Sequence, residues 1–140
     1  IDNTFSISVM EFDVHGVYQD WMKQYTNEDA SLMASIAAFE NEDGNTEYKH
    51  IYKYKIPITI NSGSDVVIGY NQNTMVDKKG YWKVYRYNPL TDKREFIYEL
   101  WNELLFLNLT IPGIYDIDSY VFDKYGNLIL NEINGIIKVK

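Results

Sequence analysis

The chain has 140 residues, 46% hydrophobic and 16% aromatic, with 13 Tyr and no Cys. That is one domain's length of chain with enough apolar material for a core, which argues against disorder and excludes disulfides and thiolate metal sites. A formal net charge of -7, with no Lys/Arg-rich stripe, opposes polyanions and removes nucleic acid from the expected partners.

The chain opens IDNTFSISVM, without an initiating Met and without the basic start and apolar block of a secretory signal, and is read as a segment of a longer protein. No apolar run approaches the roughly 18 residues of a membrane span, so membrane insertion is not expected. Residues 16–25, GVYQDWMKQY, are read as a short helix or an aromatic loop in which Tyr18, Trp21 and Tyr25 pack on one side. Residues 29–40 carry two readings. DASLMASIAAFE is rich in helix formers and follows TNED, which supplies an N-cap. The same short apolar run also suits a strand, and the strand is preferred. Residues 35–56, SIAAFENEDGNTEYKHIYKYKI, follow the order of residues 119–140, SYVFDKYGNLILNEINGIIKVK: an apolar run, Phe, an acidic residue, Gly-Asn, then an alternating strand.

From residue 54 the elements are clearer. YKIPITI (54–60) alternates and carries Pro57, which suits an edge or entry strand. NSGS (61–64) is a turn and DVVIGYN (65–71) a strand. After a polar connection, YWKVYRY (81–87) sets Trp82 and Val84 on one face and Tyr81, Tyr85 and Tyr87 on the other. NPLTDKRE (88–95) is a turn by composition, FIYEL (96–100) returns from it, and LLFLNLT (104–110) puts Leu105, Leu107 and Leu109 on one side. In IPGIYDIDSYVFDKYGN (111–127) a Pro-Gly turn leads into a strand with Tyr115, Ile117, Ser119 and Val121 on one face, and Gly126-Asn127 turns out of it. GIIKVK (135–140) closes the chain. Short strands separated by turns, with no intervening amphipathic helix, predict an all-β fold of two antiparallel sheets packed face to face.

YWKVYRY, IPGIYDIDSYVFDKYGN and GIIKVK resemble the late strands of immunoglobulin-like domains of the polycystic-kidney-disease (PKD) subtype, over roughly the last three-fifths of the chain. The likeness lacks the Asp/Gly-rich turn that follows the strand-C Trp in many such domains. It implies an antiparallel sandwich over residues 54–140, with residues 1–53 an N-terminal extension, the end of a preceding module, or a hairpin added to the same sandwich. It also implies that Ile68, Trp82 and Ile117 form the pin between the sheets, that Tyr115 sits at a corner, and that the pin is apolar packing where antibody domains have a disulfide.

The chemistry-bearing residues are sparse. His15 and His50 lie in different segments, away from any Ser in a nucleophile motif, and Asp13-Val14-His15 offers two ligands at most. Asp116, Asp118 and Asp123 are candidate Ca²⁺ oxygens. The preferred reading makes Asp116 and Asp118 the solvated strand face and Asp123 a turn cap. No pair among the acidic residues stands out for glycoside hydrolysis, no Gly-rich phosphate loop is present, and no metal or cofactor is expected. Asn-Leu-Thr at Asn108 fits a glycosylation acceptor.

Tyr81, Tyr85 and Tyr87, with Trp21, are the candidate ligand-binding residues, since exposed aromatics stack on sugars and anchor interfaces; the competing reading is cross-strand pairing that stabilises the sheet. The resemblance implies a non-catalytic structural or interaction module of a larger virion (phage tail, baseplate or decoration) or cell-surface protein. Its partners would be proteins of the same assembly. The alternative is a carbohydrate- or receptor-binding module. Catalysis ranks last.

Overall fold

The computed structural model describes residues 5–13, 24–26, 31–40, 42–54 and 57–140. Among the described residues eleven strands follow in chain order: β1 (Ile7–Asp13), β2 (Gln24–Thr26), β3 (Ser31–Glu40), β4 (Thr46–Tyr54), β5 (Ile58–Ile60), β6 (Asp65–Tyr70), β7 (Lys79–Asn88), β8 (Lys93–Trp101), β9 (Leu105–Asn108), β10 (Gly113–Phe122) and β11 (Leu128–Val139). A 3-10 turn at Gln72–Thr74 links β6 to β7. No helix among the described residues is long and apolar enough to cross a membrane.

The strands form two sheets, ordered β2-β3-β4-β1-β6-β9 and β5-β11-β10-β7-β8. All pairings are antiparallel except the short β5 against β11. β5 is an edge strand, and Pro57, which has no N–H to give a ladder, stands immediately before it. β1 is hydrogen-bonded on one side to β4 and on the other to β6, so the N-terminal strands continue the sheet that carries β6. Residues 31–40 are strand, which decides between the two sequence readings of that run. The two related segments both fold as hairpins, β3–β4 and β10–β11, and each turns through a glycine with positive φ, Gly44 at 80° and Gly126 at 87°.

The sheets close on one core. β6 and β9 contribute Val66, Ile68, Tyr70, Leu105 and Leu107; the opposing sheet contributes Trp82, Val84, Tyr115, Ile117, Val121 and Ile137. Inward side chains alternate with outward ones along β7 and β9, as half-buried antiparallel strands do. Contacts cross the gap directly. The Tyr70 ring stacks on Trp82 at 5.8 Å and 22°, and its hydroxyl lies 2.5 Å from Ser119 Oγ on β10. Glu11 on β1 is buried, and its carboxylate accepts the Asn61 N–H at 2.7 Å, fastening β1 to the β5–β6 turn.

Several element boundaries differ from the sequence reading. The turn read over 88–95 is confined to residues 89–92, because β8 begins at Lys93. The final strand starts at Leu128 instead of residue 135 and stays continuous by taking up register shifts opposite β10, between Asp116 and Asp118 and between Val121 and Phe122. YKIPITI is not one strand: β4 ends at Tyr54 and β5 begins at Ile58.

Candidate functional site

The three residues read as the structural pin and the corner Tyr115 are all buried. Ile68, Trp82 and Ile117 meet within the core, and the Trp82 indole N–H donates to the Asn102 carbonyl at 3.0 Å. The Tyr115 hydroxyl donates to the Ile111 carbonyl at 2.5 Å, across the Pro112-Gly113 turn. Gly80 allows the β8–β9 connection to approach the end of β7: a Cβ there would stand 2.4 Å from the Asn102 oxygen.

On the outer side of the same sheet, β8, β7 and β10 assemble an aromatic and ionic face. Tyr81, Tyr85 and Tyr87 point outward in a row, each partly buried by neighbours. The antiparallel register sets Tyr81 between Trp101 and Tyr120, Lys83 between Glu99 and Asp118, and Tyr85 between Phe96 and Asp116. Strict alternation along β8 would put Phe96 and Trp101 on opposite faces. A bulge at Ile97, between the pairs Val84–Tyr98 and Tyr85–Phe96, returns both to the outer face.

At one end of the face Tyr81 stacks on Trp101 at 4.3 Å and 23°, Trp101 leans on Phe122 at 5.4 Å, and Tyr120 lies 5.4 Å from Tyr81. Lys83 Nζ sits 5.7 Å from the centroids of both Tyr81 and Tyr120. The Tyr81 hydroxyl donates to the Glu99 carboxylate, and this bond, with the negative charge beside it, pushes the Tyr81 pKa up to about 12. Trp101 itself is 61% exposed.

The middle of the face is ionic. Arg94 bonds Asp118 at 2.6 Å and Asp116 at 3.1 Å, and its guanidinium lies 3.9 Å from the centroid of the Tyr85 ring, whose edge meets Phe96. Asp116 and Asp118 are therefore buried, 8% and 6% exposed, and not the solvated face that alternation suggested. The reason is lateral: Arg94 reaches across β7 and covers them. Burial raises the Asp116 pKa, and the attraction of Arg94 offsets this only in part. Burial also works against the Arg94 charge, but the hydrogen bond and charges of the two aspartates outweigh it and raise the guanidinium pKa. One guanidinium set against two carboxylates leaves the cluster with a formal negative charge, and both carboxylates are hydrogen-bonded or ion-paired to Arg94.

At the far end the Tyr87 hydroxyl donates to Asp92 at 2.7 Å, which raises the Tyr87 pKa, beside an open groove of about 760 Å³ lined by Arg86, Tyr87, Pro89, Lys93, Glu95 and Ile114. Asp123 does cap its turn, accepting the N–H groups of Asn127 and Tyr125 at 2.9 Å each, and these bonds, that of Asn127 foremost, hold its pKa below the ordinary value. The three aspartates are thus divided between an ion cluster and a turn. Among the described residues no three His, Asp or Glu side chains converge as metal ligands. Asn108 turns its amide to the Gly63 carbonyl and Asp65. Trp21 and His15 lie outside the described residues, and for His50 the strand alone is described.

Sequence reasoning found the Tyr row but missed Trp101, Phe96 and Arg94. The available signal was the run REFIYELW itself, which carries three aromatic residues and becomes the exposed edge strand β8. No protein-family model matches this chain, and no curated protein is similar to it.

Proposed function

We propose that this chain is a non-catalytic immunoglobulin-like sandwich module, of the PKD-like kind, serving as a spacer, scaffold or interaction unit in a longer virion or cell-surface protein. The observation that carries the reading is strand order. In such sandwiches one sheet runs G-F-C-C′ and the other holds A, B and E, with a core Trp on strand C and a Tyr at the corner entering strand F. Here β11-β10-β7-β8 opposes β1-β6-β9, Trp82 stands on β7, and the Tyr115 hydroxyl bonds back to a carbonyl four residues upstream. β2, β3 and β4 lie beyond β1 and are additions to that plan.

The polar groups of the outer face are spent on one another, Arg94 on Asp116 and Asp118 and the Tyr81 hydroxyl on Glu99, which accords with a non-catalytic module. Antibodies raised against the purified chain, applied as immunogold label to intact cells and virus particles of the source, test the location. Label on the outer surface of either is the expected result; label confined to the cell interior refutes it. Turnover in a broad hydrolase screen that survives repurification refutes the non-catalytic part.

A further inference from the structure

We propose that the aromatic end of the β8-β7-β10 face is a glycan-binding platform, on which the exposed surface of the Trp101 indole packs against a sugar ring. The inference adds a ligand to the module reading and rests on it only in requiring the folded sandwich.

The first argument is preorganisation. Trp101 is 61% exposed, yet its ring is stacked on Tyr81 at 4.3 Å and braced by Phe122 at 5.4 Å. Both neighbours together still leave more than half of the residue exposed to water. A ring already fixed in place gives up little conformational freedom when a ligand arrives. The second is the pattern of polarity. Within one or two residues of this apolar disc lie the Glu99 carboxylate, hydrogen-bonded by Tyr81, and the Lys83 ammonium. A pyranose has the matching layout, with a C–H face that packs on an aromatic ring and hydroxyls at its rim that reach charged acceptors and donors.

The other occupants fit less well. Nucleobases also stack on indoles, but a chain of charge -7 repels their phosphates. A protein partner needs an interface centre depleted of charge, whereas the middle of this face is the Arg94, Asp116 and Asp118 cluster. A small ligand confined to the aromatic end avoids that cluster.

The test is an NMR titration of the ¹⁵N-labelled chain with soluble oligosaccharides of glucose, galactose, mannose and N-acetylglucosamine. The Trp101 indole N–H signal is identified by its loss in Trp101→Phe. The expected result is a saturable shift of that signal with at least one sugar series. Trp101→Ala should then weaken binding about tenfold or more with an unchanged unfolding midpoint, while Trp101→Phe retains part of the affinity. No shift with any series overturns the proposal, as does binding that survives Trp101→Ala. A nucleic acid or protein ligand that moves the same signal while sugars do not also overturns it. None of these failures touches the surface-label test of the module reading.

Discussion

Trp82→Ala removes the bulkiest fully buried side chain among the described residues, one that is 1% exposed and pinned between Tyr70 and the Asn102 carbonyl. A tryptophan carries about 150–250 Å² of surface, which at about 25 cal/mol per Å² makes its burial worth roughly 4–6 kcal/mol. The upper part of that range overcounts, because an unfolded chain already hides some of its apolar surface. The lost indole hydrogen bond adds little, since Asn102 is exposed and its carbonyl can turn to water. Collapse into the gap is limited, because Tyr70 is also tied to Ser119 on the opposite sheet. The net loss should be about 3–5 kcal/mol, a large share of the roughly 5–15 kcal/mol that stabilises a typical domain. Trp82→Phe keeps a ring in the gap and should cost less, about 1–2 kcal/mol. Urea unfolding followed by far-ultraviolet circular dichroism measures both. A loss below about 1 kcal/mol for Trp82→Ala, with an unchanged denaturant slope, would mean that the sheets do not close on this indole.

Other outcomes follow from the outer face and the tight turns. Arg94→Ala takes from Asp116 and Asp118 both their cation and the side chain that covers them, leaving two adjacent like charges open to water, and should cost about 1–3 kcal/mol at neutral pH; urea midpoints at neutral and acidic pH should show the deficit shrinking as the carboxylates protonate, and an equal deficit at both would refute the ion cluster. In the unaltered chain the raised pKa of Asp116 means that the folded state binds its proton more readily than the unfolded state. Its contribution to stability is therefore full below the ordinary carboxylate value and lost as pH rises through the raised one, and Asp116→Asn should remove that fall from the stability–pH curve. Tyr81 should titrate near 12, well above the ordinary 10.0, and Glu99→Ala should return it towards that value, as read by NMR of ring-labelled tyrosine. Gly80→Ala drives a Cβ into the Asn102 carbonyl and should destabilise more than Gly69→Ala, which meets only the movable end of Leu104; equal thermal midpoints would contradict this close approach.

Sequence alone determined the inward faces of β9 and β10 and the turns at either end of β10. Along β10, alternation marked Tyr115, Ile117, Ser119 and Val121, and all four are buried. Along β9 it marked Leu105, Leu107 and Leu109, the first two buried and the third packed against the core. Pro112-Gly113 and Gly126-Asn127 marked the ends of β10, and Pro57 marked β5 as an edge. These signals are local: side-chain direction has a period of two along any strand, and turns depend on the dihedral freedom of a few residues.

Tertiary structure alone decided what lies beside what. Nothing in IYDIDSY says that an arginine two strands away will cover Asp116 and Asp118, and so alternation placed these aspartates in solvent. Nothing in REFIYELW says that Ile97 bulges, which is what brings Phe96 and Trp101 to one face. The likeness of residues 35–56 to 119–140 foretold two hairpins but not that β1 would lie between β4 and β6. The reason is common to all three. Lateral neighbours are chosen by the pairing of strands far apart in the chain, and a single extra residue on one of them inverts every facing beyond it.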